Sequence, residues 1–251
     1  SSPVPAVARV DHPVAWRFEA KDASGAWREI PGAGSSVTVR LYGVLGNTQG
    51  TTAPNLPWVA VVDDATRAVN GAAADAAGVR SALVRHVYQE LGLSYDRAQG
   101  ASHYTSYAGT YAAAGFKLAR FLGRDFGPIV NCSDCASILS TYANMIGADL
   151  SYTIITSSFS LHPILGIGAS AFGSPFDSGR MAFTYHAVTS PDAAATIWDA
   201  TLAVDGDADP ATAPYVKKLV QGMAGAEYLD RLSGDVRAKY NYVDKKTTLS
   251  F

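Results

Sequence analysis

The chain reads as an α+β protein, because its periodic segments come as strands, then helices, then strands. Three observations carry this. Strand-like alternation dominates up to about Val69, helical periodicity takes over near Asn70, and three β-branched or aromatic runs follow Gly147.

Taken in order, Val14–Ala20 alternates, Ser36–Tyr42 is β-branched and aromatic, and Trp58–Val62 is a short apolar run, so each is predicted as a strand. Gly25, Pro31–Gly34 and Gly46–Thr48 mark the turns. Residues 1–70 therefore form a β-rich N-terminal segment or subdomain, and 71–251 the main domain. Val79, Leu83, Val84, Val87 and Leu91 share one face of an amphipathic helix that Gly92 stops. Residues 96–115, rich in Gly, Ser, Ala and Tyr, form an irregular connection that shapes a cleft, and Phe116–Leu122 a second helix.

The third helix starts at Asn131. Ile138, Leu139, Tyr142, Ala143, Met145 and Ile146 make a wide apolar stripe, and Gly147 closes it. Asn131 is a good N-cap, with Ser133 and Asp134 in the first turn. Strands follow at Tyr152–Thr156, Met181–Val188 and Thr196–Leu202. The remainder reads as a helix over Tyr215–Leu232 and a strand over Val236–Val243.

With 251 residues, 48% of them hydrophobic, and a mean hydropathy of +0.05, the chain can bury a full core without disulfides. A net charge of −2 lacks the basic stripe of a nucleic-acid binder. The most apolar stretch, Ile154–Phe172, is broken by Ser157, Ser158, His162, Pro163 and glycines, so no membrane span is expected. The opening Ser1-Ser2-Pro3-Val4-Pro5 without Met fits a mature exported chain, periplasmic or extracellular, or a trimmed one. The Ala- and Gly-rich composition, with 7 Lys against 13 Arg, suggests a bacterial source.

Cys132 at a helix N-terminus is the residue that points to chemistry. Unsatisfied backbone N–H groups and the helix dipole favour a thiolate there, and only the thiolate is a good nucleophile. Such a nucleophile needs an imidazole that takes and returns a proton, and the imidazole needs a carboxylate to hold its ring. His186 and Asp199 lie on two predicted strands joined by a turn near Asp192. If they pair directly across, both project to one face and an Nδ1–H to carboxylate contact follows.

Those residues resemble a known family. The run Asn131-Cys132-Ser133-Asp134-Cys135-Ala136 through Gly147 is similar to the transglutaminase-like signature: nucleophilic Cys, Asp two residues on, Ala two further, an apolar helix, then Gly. Tyr185-His186-Ala187 resembles that family's His strand, and Ile197-Trp198-Asp199-Ala200-Thr201 its closing aromatic-Asp-x-Thr strand. Leu83–Asp96 is similar to the helix that precedes the core. The resemblance covers roughly residues 75–205, with Asn131 where the family has Gly and Ala187-Val188 where an aromatic often follows. It implies a papain-like core with the nucleophile helix packed on an antiparallel sheet. It also implies a Cys132, His186, Asp199 triad that attacks carboxamides of peptides or proteins, forms a thioester, and passes the acyl group to water or an amine acceptor. The oxyanion hole and cleft would draw on the Cys132 N–H, on Tyr104 or Tyr107, and on Asn131 and Trp198. No cofactor and no metal are implied.

Plainer readings accompany each motif. Buried Cys is common, and Cys135, one turn into the helix, fits the core. Cys132-x-x-Cys135 also spells a redox dithiol or half a zinc site, but no second Cys pair or closely spaced His pair completes the zinc set. Asp205–Asp209 lacks the Gly and Glu of a calcium loop, with Pro210 and Val216 in those places, and reads as a solvated acidic turn. His12, His86 and His162 take surface, loop or packing roles, and His103 lies where a cleft could be. The competing functions are a catalytically silent module of the same fold and a Cys-x-x-Cys redox protein.

Overall fold

The computed structural model describes residues 7–46, 58–70, 75–106, 115–155, 158–192 and 195–235, and the backbone of 242–245 and 248–250. The fold is mixed α+β. Five α-helices are present among the described residues: α1 (Val59–Ala68), α2 (Ala76–Arg85), α3 (Leu118–Gly123), α4 (Cys132–Met145) and α5 (Gly225–Leu232). A π turn over His86–Glu90 extends α2.

The largest sheet is antiparallel throughout. It runs Leu165–Gly166, Thr196–Asp205, His186–Ser190, Ser151–Ile155, Tyr242–Lys245, and Lys217–Ala224 also pairs with Thr196–Asp205. Helix α4 packs on its three middle strands, α1 and α2 pack on α4, and α5 lies against Thr196–Asp205 and Lys217–Ala224. Residues Cys132 to Ala143 are all buried, so α4 is an interior helix covered on every side. Its end is as predicted: Gly147 has φ 75°, and Leu45 N–H donates to the Ile146 carbonyl at 2.9 Å.

Four local expectations are corrected. Trp58–Val62 is not a strand: Val59–Ala68 is helical, with Val61, Val62, Ala65 and Thr66 buried at helical spacing. A five-residue apolar run cannot separate strand from buried helix, and the turn that decides it lies further on. Tyr215–Leu232 is not one helix but the strand Lys217–Ala224 followed by α5. Gly222 is the extra residue of a bulge in that strand between the Ile197 and Trp198 pairings; its φ of 81° breaks any continuous helix there, and the Trp198 ring is so close that a Cβ would sit 3.0 Å from it. Helix α3 starts two residues later than expected, because Gly115–Lys117 is used up in pairing with Thr105–Ser106. Asp205, expected in a solvated turn, is fully buried and accepts from Val216 N and Asp207 N. Of the expected strand over Val236–Val243, residues 236–241 lie outside the described residues, and Tyr242–Lys245 pairs with Ser151–Ile155.

The N-terminal segment is β-rich up to Gly43, as expected, with paired strands Ala8–Trp16 and Ser35–Gly43 forming a projecting arm. Among the described residues no helix is long and apolar enough to cross a membrane.

Candidate active site

The head of α4 is fastened before any catalytic question arises. Asn131 Oδ1 accepts from Asp134 N at 3.1 Å, and Asp134 Oδ2 accepts from Asn131 N at 3.2 Å, a reciprocal capping box. Asp134, fully buried, also accepts from Ser102 Oγ (2.8 Å), His103 N (2.9 Å) and Tyr104 N (2.9 Å). Four donors on one carboxylate balance its burial, and they stitch the 102–104 loop to the start of α4. Cys132 is thereby held as the first helical residue, 3% exposed.

His186 opens its strand and is completely buried. Its Nε2 donates to Asp199 Oδ2 at 2.8 Å. Two further donors hold that carboxylate: Tyr228 O–H to Oδ2 at 2.9 Å and Thr201 N–H to Oδ1 at 2.6 Å. The Phe183 ring stacks on the imidazole, with centroids 5.0 Å apart and planes 7° apart.

Two details differ from the expectation. The ring nitrogen on Asp199 is Nε2, not Nδ1. The strands are also not paired with His186 opposite Asp199. Thr189 stands opposite Trp198, so by counting along the strands Asp199 lies opposite Val188, two positions from His186. A slip of two preserves which face each side chain projects from, whereas a slip of one would have separated them. That parity is why the contact survives.

Using Nε2 for Asp199 leaves Nδ1 free. This nitrogen is buried and has no aligned hydrogen bond. The Cys132 sulfur is nonetheless close enough to act on the ring. Burial lowers the imidazole pKa, but the Asp199 charge and hydrogen bond, followed by Cys132 bonding and charge, raise it to about 10. The imidazole is therefore protonated at neutral pH. Loose alignment before substrate binds is common among catalytic groups.

Cys132 packs with Ala136, Tyr152, Ile154, Ala187 and the partly buried Tyr185. Three tyrosines feel its charge. Burial first and Cys132 second raise the hydroxyl pKa of Tyr95, of Tyr152, and of Tyr185 to about 12. The Tyr185 hydroxyl is bonded to Ser133 Oγ at 3.0 Å, while the Tyr152 hydroxyl is buried with no aligned partner. Tyr95 also lines a cavity of about 160 Å³ with Ser94, Arg97, Ile164 and Gly168.

The expected cleft residues are placed otherwise. Tyr104 is not an oxyanion donor: its hydroxyl donates to the Gly127 carbonyl at 2.6 Å and accepts from Phe126 N at 3.1 Å, with its ring edge-on to Phe121. Tyr107 lies outside the described residues. The Asn131 side chain accepts at the cap with Oδ1, donates to the Gly100 carbonyl (2.9 Å) and interacts with the Tyr185 hydroxyl, and the residue is 1% exposed. Trp198 is 4% exposed, under the Arg80 guanidinium and against Gly222. Cys135 is fully buried, as expected of a core residue, and burial raises its pKa. His103 contacts Asp96 at 3.2 Å. Among the described residues no group of three His, Cys, Asp or Glu could hold a metal.

Sequence reasoning missed Tyr228, Phe183, Tyr152 and Tyr95. Tyr152 and Tyr185 flank the recognised strands and could have been singled out by their nearness to His186 in the sheet. Tyr228 carries no local signal, because only the path of α5 brings it to Asp199. The chain matches no family model, no curated protein and no solved structure.

Proposed function

We propose that this protein is a cysteine-dependent acyl-transfer enzyme of the transglutaminase-like, papain-like kind, acting on amides of peptides or proteins. The observation that carries the reading is the imidazole of His186. One nitrogen is committed to a buried carboxylate, and the ring also interacts with Cys132, the thiol at the helix start.

In this reading the imidazolium stabilises a Cys132 thiolate, which attacks the amide carbon. His186 then gives its proton to the departing amine, leaving a thioester on Cys132. Water or an amine, deprotonated by the now neutral imidazole, releases the acyl group. Asp199 keeps the ring oriented, and Tyr228 and Thr201 N–H keep Asp199 in place. The tetrahedral oxyanion would be met by the Cys132 N–H and by the hydroxyl of Tyr152, which packs with Cys132.

Incubation with a glutamine-containing peptide and a labelled primary amine tests the reading. Ammonia release with amine incorporation indicates transfer, and ammonia or peptide release alone indicates hydrolysis. Neither product, together with a Cys132 that reacts with iodoacetamide no faster than a free peptide thiol, would leave the silent-module reading. Dithiol cycling that survives His186→Ala would favour the redox reading.

A further inference from the structure

The arm formed by Ala8–Trp16 and Ser35–Gly43 has its polarity inverted. Directly opposed residues share a face, and alternate residues along a strand return to it. The pairs Arg9 with Tyr42 and Asp11 with Arg40 therefore make one face. This polar face turns to the body: Arg9 pairs with Asp63 of α1 at 2.9 Å, Tyr42 O–H donates to Asp63 at 3.1 Å, and Arg40 bonds Asp11 at 2.7 Å.

The opposite face holds Val10 with Leu41, His12 with Val39, Val14 with Val37, and Trp16 with Ser35. On it Val10 is 39% exposed, Trp16 54%, Val37 49%, Val39 37% and Leu41 55%. A two-stranded hairpin needs its apolar face covered to be stable in water, and among the described residues this face is left largely exposed.

We propose that this face packs against the same face of a second copy, making an arm-to-arm dimer with two-fold symmetry. Three properties favour a copy of this chain as the occupant. The face bears no Asp, Glu, Lys or Arg, so turning it onto itself opposes no like charges. Large Leu41 and Trp16 stand at the two ends of the ladder, with His12, Val39, Val14 and Val37 between them, so an antiparallel two-fold partner can set its end residues over the lower middle of this one. Its open apolar area, on the order of 500 Å², forms with a polar rim a patch near the roughly 800 Å² per partner of a stable interface. The Arg9, Asp11, Arg40 and Asp63 network anchors each arm to its own body, so the dimer would join two complete active sites without sharing residues between them.

Sedimentation of the full chain over a concentration series tests this, against a monomer of 26.3 kDa. The expected result is a mass near twice the monomer that falls to one for Val37→Lys with Leu41→Lys. Both positions are exposed, so circular dichroism and melting temperature should hold. Val39→Cys should cross-link to itself on mild oxidation, while Val216→Cys, exposed elsewhere, should not. A wild-type monomer at 100 µM overturns the proposal. So does a dimer indifferent to the lysine pair, or binding of the arm to neutral phosphatidylcholine vesicles without self-association.

Discussion

Two histidines in this protein are each clamped by carboxylates, and they differ in what else meets the ring. His86 spends both ring nitrogens: Nδ1 contacts Glu90 at 2.7 Å and Nε2 contacts Asp64 at 3.1 Å. Asp64 in turn accepts from Tyr142 of α4 at 3.1 Å and from Arg67 at 3.1 Å, so the cluster ties α1, α2 and α4 together. Burial lowers the His86 pKa, but the two carboxylates win and raise it. The His186 pKa is raised as well, but its ring meets one carboxylate and a thiol instead of two carboxylates. His86 lies between two carboxylates, neither of which an imidazole would activate as a nucleophile, so its ring can only tie helices together. The His186 ring has a carboxylate on one side and the Cys132 thiol acting on it as well, the arrangement in which an imidazole can move a proton.

The largest expected effect breaks this comparison if it fails. Cys132→Ala and His186→Ala should each lower amide turnover by about 10⁴-fold or more, since members of such a unit are lost together. His86→Ala should leave turnover per folded molecule within about threefold, while lowering stability by about 2 kcal/mol. Urea melts run beside the amine-incorporation assay would separate the two. A catalytic defect in His86→Ala as large as that of His186→Ala would erase the distinction.

Tyr152→Phe comes next, with an expected loss of about 10²-fold in kcat and little change in KM or melting temperature. The hydroxyl meets only Ser133, which is already bonded to Tyr185, so its removal should cost the fold little, and a stability loss without a kcat loss would reassign Tyr152 to packing.

The pH dependence follows from the signs of the two shifts. Both imidazoles have folded pKa values above the ordinary 6.5, so each stabilises the fold fully below about that pH. The His186 contribution is lost as pH rises through about 10, and the His86 contribution fades above 6.5. The wild type should therefore lose stability steadily on the alkaline side. Asp199→Asn removes the leading cause of the His186 rise, so the alkaline limb of its turnover should move to lower pH. Glu90→Gln should leave that limb where it is. Movement of the limb in Glu90→Gln, or its absence in Asp199→Asn, would contradict the assignment of the two rings.

The parts legible in the sequence are those whose signal is local. The capping residue Asn131, the apolar stripe from Ile138 to Ile146 and the stop at Gly147 lie within one turn of what they specify, and α4 has those ends. His186 and Asp199 meet because strand parity, not register, decides the face, so the pair was legible although its register and its ring nitrogen were not. The rest depends on packing at long range. Val61 and Val62 are β-branched and still helical, because Ala65 and Val69 extend their face against α4. Tyr104 looked like a cleft residue in a Tyr-rich stretch, but Gly127 and Phe126 claim its hydroxyl from a part of the chain no local pattern connects. The His86 cluster needs α1 folded across α2 before Asp64 can reach the ring.

The smallest effects sharpen the comparison most, since they remove one hydrogen bond from each histidine's support. Tyr228→Phe takes away one of three donors to Asp199 while leaving His186 Nε2 in place. Because this donor meets a buried charge, its loss should cost about 1–2 kcal/mol and lower turnover about tenfold. Glu90→Gln removes the outer partner of His86, whose side chain is 55% exposed and shared with solvent. There the expected loss is below 1 kcal/mol, with no change in turnover. Thermal melts and kcat measured on the two variants should therefore fall on different lines: one loses stability and rate together, the other a little stability alone. If Tyr228→Phe lost stability with full turnover, Asp199 would need no help from Tyr228 in orienting the ring, and the Tyr228 bond to Oδ2 would be a matter of packing.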